Sequence, residues 1–423
     1  IKRLNFSNAI QEIPGVSIIS TGPGISKPVI RGLSSNRVTV FNQFMRVENQ
    51  QWGAEHGMEI SGFGVGSVEV IKGPMSVLYG SDAIGGVLYV NPDSYYKGEG
   101  SEIELGTIYN SNYQGITTNL GIKGGSNKLS YLVQASLVDN KDFNTPDGEV
   151  ENTYFKNSDL KFGLGYTSDN FISDLRVNIN DSEIGIPHGE ENHDDHDDHD
   201  DHDDDDHDED HDEDHEEHEE EKSYQDLTNT MISWKNRFLF ENRSEIEFTL
   251  GFSSNKRKEF GHHEEEGHDD HDDDDHDDDD HDEHGEGPAL NMDLETTTFD
   301  FKYIFPKSEK LELVFGTNIL SQTNTNYGEE ELIPDADKRD FGVYALSHIH
   351  ASKWDVLIGL RTDNRKITTS DFDKNYNSLN ASLGFKRDFS TNKIFRLNFS
   401  NGYRAPNLSE LFSDGVHHGT AQY

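Results

Sequence analysis

From about residue 99 onward, this chain consists of segments of roughly ten residues in which apolar and polar side chains alternate. In Leu129–Val138 the apolar positions are Leu129, Tyr131, Val133, Ala135 and Leu137. Phe171–Asn180 and Glu245–Ser254 repeat the pattern. Because successive side chains of a β-strand point to opposite faces, each segment forms one apolar and one polar face. The alternation is typical of an outer-membrane β-barrel, and also of a soluble antiparallel sandwich or propeller.

The connections between these segments favour the barrel. Short turns alternate with longer, polar loops of variable length, and outer-membrane barrels have short periplasmic turns and longer outer loops. The predicted short turns are Gly124–Asn127, Thr167–Asn170, Glu241–Ser244, Pro306–Lys310, Ala351–Lys353 and Ser390–Lys393. No apolar run approaches the roughly 18 residues of a membrane-spanning helix. We therefore expect the chain to cross a membrane with strands.

The number and direction of the strands can be followed along the sequence. We count about 13 strands, of which the first, near residues 101–109, runs outward. The fifth then ends near Asn180 and the seventh near Lys256, both on the outer side. An odd set of strands does not close a bacterial single-chain barrel. The chain also opens at Ile1 and stops within a motif at Tyr423, so we expect further barrel strands outside this sequence.

Two runs rich in histidine and acid follow the fifth and seventh strands, which predicts that both are extracellular. His188–Glu221 and Glu259–Glu286 hold 16 of the 21 histidines and 40 of the 82 acidic residues, without any Lys or Arg. Outside them, 42 acids face 36 basic residues, so the net charge of −46 belongs mainly to the runs. No folded core can bury such charge density, and we expect solvated segments that concentrate cations.

The donor atoms of these runs indicate which cations they bind. Imidazole and carboxylate together suit zinc, and imidazole also suits copper, nickel and iron. Asp clusters alone would suit calcium, but regularly spaced histidines favour a transition metal. The chain has no Cys, which excludes disulfides and thiolate sites. The candidate ligands in the runs are His188, His193, His196, His199, His202, His207, His211, His215, His218, His262, His263, His268, His271, His276, His281 and His284.

The composition disfavours two classes of function, nucleic-acid binding and catalysis. An acidic surface does not bind nucleic acid, because phosphate contacts need Lys and Arg. No nucleophile–base motif is present, and a flexible histidine tract lacks the fixed open coordination position of metal catalysis. We expect neither an enzyme nor a catalytic cofactor.

Residues 1–98 contain an ordered series of short motifs in a Gly- and Pro-rich context with β-prone runs at Val38–Phe41 and Val68–Ile71. The motifs are Ile13-Pro-Gly-Val16, Ile30-Arg-Gly-Leu33, Val68-Glu-Val-Ile-Lys-Gly-Pro74, Ser76-Val-Leu-Tyr-Gly-Ser-Asp-Ala-Ile-Gly-Gly-Val87 and Asn91-Pro92. This series resembles the plug domain of TonB-dependent outer-membrane receptors. The resemblance implies an all-β transmembrane barrel of about 22 strands, incomplete here, with an N-terminal mixed α/β plug in its lumen.

The resemblance also predicts domains, location and partners. It implies a plug domain at 1–98 and a partial barrel at 99–423, with His/Asp/Glu-rich extracellular loops at 181–226 and 257–290. It further implies the bacterial outer membrane, contact with its lipid, and import energised by the TonB complex. The TonB box that precedes the plug in this family is absent from the sequence, so the coupling is an implication of the resemblance alone.

Within this family the chain looks most like the zinc-importing branch. The supporting features are the His-rich loops, Trp52-Gly-Ala-Glu-His-Gly57, and Tyr403-Arg-Ala-Pro-Asn-Leu-Ser-Glu-Leu-Phe412 followed by Gly415-Val-His-His-Gly-Thr420. They imply a plug-apex site of Glu55 and His56, which His417 and His418 complete. His188 would pass metal from the first run toward the pore. Taken without the resemblance, His56 is an ordinary surface histidine.

Other polar residues have expected structural roles. Arg31, Glu69 and Lys72 are candidates for ion pairs with the barrel wall, or for structural contacts within the plug. The glycines of the Tyr79–Val87 segment predict tight turns and close backbone approach. His348 and His350 share one strand face near the periplasmic end, and we interpret them as barrel-wall or lumen residues.

The sequence and the resemblance therefore predict a TonB-dependent importer of a transition-metal ion, zinc, that outer loops collect and a plug-apex site receives. One alternative is a siderophore or haem receptor on the same scaffold, although the acidic loops would repel an anionic siderophore. Another is a surface protein that buffers metal or mediates adhesion and transports nothing. The plug series disfavours that alternative, since such a protein has no use for an occluding domain.

Overall fold

The computed structural model describes residues 6–20, 24–49, 56–146, 148–187, 222–261, 287–328, 330–390 and 393–413. The first histidine-rich run lies outside the described residues, and so does the second from His262 onward. Glu55, His417 and His418 also lie outside them. Of the predicted metal ligands, His56 is the one that the structure describes.

The N-terminal part forms a small mixed domain. Its elements are α1 (Phe6–Ile10), β1 (Val16–Ser20), β2 (Ser26–Ile30), β3 (Val38–Asn42), β4 (Met45–Val47), β5 (Val65–Ile71) and β6 (Gly86–Pro92), with 3₁₀ helices at Ser35–Arg37 and Gly73–Tyr79. β1 pairs with β2, and four strands form a sheet in the order β4-β3-β6-β5, in which β3 and β6 are parallel. The predicted strands at Val38–Phe41 and Val68–Ile71 are confirmed as parts of β3 and β5.

The glycines after Tyr79 fit the predicted close approach. Gly80 and Gly86 have φ angles of 119° and 135°, which L side chains rarely adopt. A Cβ on Gly85 would lie 2.8 Å from the carbonyl oxygen of Arg37, and one on Gly86 would lie 2.9 Å from that of Ile71. Only glycine therefore allows the segment to pass so near the neighbouring backbone.

The rest of the described chain forms one 13-stranded antiparallel sheet, which confirms the predicted number of strands. Its strands are β7 (Gly100–Asn110), β8 (Gly115–Gly125), β9 (Leu129–Asn140), β12 (Phe155–Thr167), β13 (Phe171–Gly185), β14 (Tyr224–Leu239), β15 (Glu245–Phe260), β16 (Leu290–Ile304), β17 (Leu311–Asn326), β18 (Ala336–Ala351), β19 (Trp354–Thr368), β20 (Asp373–Ser390) and β21 (Lys393–Asn401). A hairpin of β10 (Phe143–Thr145) and β11 (Gly148–Val150) lies between β9 and β12, and α2 (Leu408–Phe412) follows β21. No helix in the described part is long and apolar enough to cross a membrane.

The two faces of the sheet have the predicted polarity. On β9, Leu129 and Leu137 are 53% and 61% exposed on the outer face, whereas Gln134 and Ser136 are buried on the lumen side. Outward-facing aromatic residues pack together near the short-turn end, with Phe171 and Phe238 4.6 Å apart between ring centroids. An apolar exterior with aromatic residues at its border is the arrangement of membrane barrels. The all-β barrel with a mixed plug is thus confirmed.

The strands run further into the predicted loops than the sequence indicated. The fifth strand, β13, ends at Gly185 and the seventh, β15, ends at Phe260. As expected, both runs follow odd-numbered strands and attach at the same end of the sheet. The prediction of a solvated segment is wrong for Glu259, which is 5% exposed and belongs to β15. Its neighbours on the lumen side neutralise it, which composition alone does not reveal.

Candidate functional site

Both histidine-rich runs adjoin the same place on the sheet. The first run ends at Glu221, shortly before β14 begins, and the second continues from the end of β15. β14 and β15 are neighbours, and their long-loop ends pair Tyr224 with Phe260. The two rings stack with centroids 4.5 Å apart. The pairing therefore joins the points at which the two runs meet the barrel.

His56 of the plug lies just inside this point. The side chain is fully buried, and its Nε2 lies 3.0 Å from Oε1 of Glu259 on β15. Arg257 donates to the same carboxylate oxygen over 3.3 Å. A carboxylate only accepts hydrogen bonds, so Nε2 of His56 is the donor in its contact with the carboxylate of Glu259. An imidazole and a carboxylate, both possible metal donors, are thus held together beneath the attachment of the runs.

Glu59 extends this contact into a network between plug and barrel. Nη2 of Arg257 donates to Oε1 of Glu59 over 2.6 Å, and Nη1 donates to Oε1 of Gln225 over 2.9 Å. The second oxygen of Glu59 accepts from Asn49, Asn229 and Asn255, at 2.8, 2.5 and 2.9 Å. Arg257 and Glu59 have side chains that are 0% and 2% exposed. The three amides satisfy the second oxygen of Glu59, which offsets part of the desolvation cost of burying the pair.

A second junction lies around Asp82, within the glycine-rich plug motif. Arg46 of the plug and Arg365 of β19 donate to its Oδ2 over 2.6 and 2.7 Å. Arg365 also bonds Asp340 on β18 over 2.6 Å. Burial by itself would raise the pKa of Asp82, but the two guanidinium groups hold that pKa well below its ordinary range. Asp82 is therefore an anchor that stays ionised.

Further contacts strengthen the second junction. Lys338 of β18 donates to Glu48 of the plug over 2.7 Å, and both side chains are buried. Nη1 of Arg365 also donates to the carbonyl oxygens of Ala405 and Pro406. The Arg-Ala-Pro segment that the sequence singled out is therefore held beside the plug by a barrel arginine.

The ion pairs with the wall are made by residues that the sequence analysis did not choose. Lys72 donates to the carbonyl oxygen of Pro14, and Glu69 accepts from Asn91, so both bond within the plug. Arg31 has a φ angle of 56° in the turn after β2. Glu48, Glu59 and Asp82 contact the barrel instead. The sequence offered one signal for these ion pairs, namely charged residues such as Arg257 and Arg365 on the polar face of a barrel strand.

A different cluster lies at the short-turn end of the lumen. His348 and His350 of β18, Glu312 of β17 and Asp355 of β19 face the lumen on adjacent strands, with Glu312 opposite His348 and His350 opposite Asp355. The two imidazole rings are 4.1 Å apart between centroids. Among the residues that the structure describes, Glu312, His348 and His350 form the one group of three possible metal ligands, with ligand atoms within 4.8 Å of one another. Their predicted position in the lumen near the periplasmic end agrees with the sheet register.

These features, a polar-lined barrel sheet bonded to an internal plug, define the class of protein. The family described as TonB-dependent Receptor Plug Domain matches residues 2–87, and the family described as TonB dependent receptor-like, beta-barrel matches residues 91–423. The chain belongs to the TonB-dependent receptors, an outer-membrane family whose members are receptors and transporters.

Individual relatives match only part of the chain. Vitamin B12 transporter BtuB of Photobacterium profundum is 27% identical over 199 residues, which cover 45% of this chain and 33% of that protein. An iron-regulated outer membrane virulence protein of Vibrio cholerae is 32% identical over 116 residues, which cover 26% of this chain and 18% of that protein. The matches thus span about a third or less of these relatives' own length.

Solved structures agree over nearly the whole chain. The FrpB iron transporter of Neisseria meningitidis has a TM-score of 0.73 at 13% identity, over 96% of this chain and 62% of that one. The copper transporter OprC has a TM-score of 0.74 at 14% identity, over 98% and 64%. At such low identity the agreement demonstrates a shared fold.

Proposed function

We propose that this protein imports a divalent transition-metal ion, zinc, across the bacterial outer membrane, with energy from the TonB complex. The two histidine-rich runs collect the ion outside the cell, and the plug apex around His56 receives it. The proposal rests on one observation above all. Both runs adjoin paired strand ends, and β15 also provides Glu259, the partner of His56.

The choice of zinc rests on the donors of this chain. Interspersed imidazoles and carboxylates suit zinc, and a chain without Cys offers no thiolate for Cu(I). The names of the relatives refer to vitamin B12, iron and copper, so they support transport and not this metal. The net charge of −46 favours a bare cation over an anionic chelate.

At the plug apex, His56 and Glu259 provide two donors in contact. A cation between them would replace the hydrogen bond from Nε2, and Arg257 would keep its stronger bond to Glu59. Glu55, His417 and His418 remain the proposed additional ligands, and they lie outside the described residues. Capture by the runs and binding at the apex are then successive steps at the long-loop end of β14 and β15.

The direct test is metal accumulation in cells that produce the full-length receptor, with and without a working TonB system. Zinc, iron, copper, nickel and cobalt are offered together and measured by elemental analysis. We expect a TonB-dependent gain of zinc and of no other metal. A gain of a different metal would refute zinc as the substrate. No TonB-dependent gain of any ion would favour a siderophore or haem receptor.

The role of the runs has its own test. Changing all histidines of both runs to Asn keeps their length and acidic charge but removes the imidazoles. We expect zinc uptake to fall several-fold when zinc is scarce and to be normal when zinc is abundant, because collection matters only at low supply. The matched control changes an equal number of Asp residues in the same runs to Asn. Unaltered uptake in the histidine variant at every zinc level would disprove collection by imidazole.

A further inference from the structure

The cluster at the short-turn end has the composition of a metal site, and within the described residues none of its hydrogen bonds or ion pairs reaches the plug. Its residues come from three adjacent strands, and the register of the sheet fixes their positions. Glu312, His350 and Asp355 have side chains that are 31%, 34% and 32% exposed. The cluster is therefore positioned by the barrel wall and open to solvent, as an exchangeable site requires.

The hydrogen bonds of His350 orient the ring for a ligand. Nδ1 lies 2.7 Å from Oδ1 of Asp355, and Nε2 lies 3.5 Å from Oε1 of Glu312. Nδ1–H donates to Asp355, and a metal ion at Nε2 would replace the proton that lies between this nitrogen and Glu312. A carboxylate that binds the second ring nitrogen is the usual partner of a metal-bound histidine.

The distances suit a small tetrahedral ion. Donor atoms about 2 Å from zinc lie roughly 3.3 Å from one another. The 3.5 Å between His350 and Glu312 is near that value, and the ligand atoms of Glu312, His348 and His350 all lie within 4.8 Å. Side-chain rotations would bring the more distant donor atoms of this group to that spacing.

We propose that Glu312, His348 and His350 bind a divalent transition-metal ion at the short-turn end of the lumen, with Asp355 orienting His350. Two imidazoles and one carboxylate leave the fourth position of a zinc ion to water. The position held by water can be taken by an incoming ligand, which suits the last site before the periplasm. Metal binding here is independent of the proposed import, whereas the role as an exit site rests on it.

One neighbouring cation competes with the metal. Nζ of Lys307, in the turn between β16 and β17, lies 2.6 Å from Oε1 of Glu312. Its side chain is 68% exposed, so it can move into solvent when Glu312 takes a metal. Removing its charge by Lys307→Gln should therefore tighten metal binding about two- to five-fold.

The test uses the purified full-length receptor in which the histidines of both runs are Asn, so that the runs do not obscure other sites. Cobalt(II) serves as the probe, because its visible absorption reports coordination, and zinc is added in competition. We compare this parent protein with His348→Asn/His350→Asn and with Glu312→Gln. The matched control is Glu245→Gln, since Glu245 also lies at the short-turn end, where it forms an ion pair with Arg237. Folding of each variant is checked by heat-modifiable migration of the barrel.

We expect both ligand variants to lose about one cobalt ion per receptor, and Glu245→Gln to lose none. Asp355→Asn should weaken binding about 10- to 100-fold without removing the site. Equal stoichiometry and equal spectra in the parent and the ligand variants would overturn the proposal. Should the ligand variants fail to fold, Lys307→Gln decides, because unchanged affinity in that variant would also overturn it.

The cell assay separates this proposal from the importer. Cobalt binding at the short-turn end without zinc accumulation would refute zinc import and leave the site intact. Zinc accumulation in a receptor whose rim binds no cobalt would refute the site and leave import intact. If both hold, His348→Asn/His350→Asn should reduce zinc uptake in cells.

Discussion

The outer junction at His56 and the cluster at the short-turn rim use the same types of side chain in opposite ways. At the junction, Glu59 and Arg257 are almost completely buried, and asparagine amides donate to the oxygen of Glu59 that does not bond Arg257. At the rim, the histidines and carboxylates are about one-third exposed, on one face of neighbouring strands. Buried charges need permanent partners, whereas exposed ones can exchange theirs for a metal or for water. The junction therefore holds the plug, and the rim is suited to bind and release.

The largest effect should follow from Arg257→Ala. It leaves the carboxylates of Glu59 and Glu259 buried beside each other without their cation, which costs about 3–5 kcal/mol. We expect hydrogen exchange of the plug segment near residue 59 to accelerate at least about a hundred-fold. Exchange measured by mass spectrometry on the full-length receptor checks this. The control is Lys256→Ala on the same strand, whose 60% exposed side chain contributes at most about 1 kcal/mol. Equal hydrogen exchange of the plug in Arg257→Ala and Lys256→Ala would contradict the view that the buried junction holds the plug.

A smaller effect is expected from acid at the second junction. Because the pKa of Asp82 is lower in the folded protein than in the unfolded chain, its ion pairs stabilise the plug above pH about 4, and this contribution is lost as the pH falls further. Protection of the plug from exchange should therefore decrease on acidification more steeply in the wild type than in Asp82→Asn. The control is Asp371→Asn in an exposed outer loop, which should retain the wild-type profile. If plug protection depended on pH in the same way in Asp82→Asn and in the wild type, ionisation of Asp82 would not stabilise the plug.

His56 distinguishes a structural from a ligand role at the junction. His56→Ala removes a hydrogen bond to a charged group and should cost about 1.5–3 kcal/mol. His56→Gln can still donate to Glu259 but lacks the imidazole, so we expect near-normal plug protection together with reduced zinc uptake. Uptake by His56→Gln at the wild-type level would mean that His56 only supports the plug.

The smallest effect should come from the rim. His348→Asn/His350→Asn removes no contact between barrel and plug that the structure describes, so plug exchange should match that of the wild type. Hydrogen exchange measured by mass spectrometry on this variant checks the expectation. A marked loss of protection would show that the rim also supports the plug, and the contrast between the two regions would then disappear.

The fold could largely be predicted from the sequence, whereas the junction could not. Alternation in segments such as Leu129–Val138 indicates a strand and its faces from local information alone. The thirteen strands, and the end of the sheet at which both runs attach, follow from counting such segments. Contacts such as Arg257 with Glu59 join residues 198 positions apart, and no local pattern specifies which charge a buried arginine meets. Lys72 and Glu69, for example, bond within the plug and not with the wall.

By itself, the sequence determined a barrel strand pattern, a plug motif series and two runs whose charge density predicts solvated segments. Those properties depend on side-chain period, backbone freedom at glycine and the cost of desolvating charge, all of which are local. Only the tertiary structure decided that the ends of β14 and β15, at which the two runs attach, lie beside each other and close to His56. It also decided that Glu312, His348 and His350 meet at the rim, because strand register brings together residues that are distant along the chain.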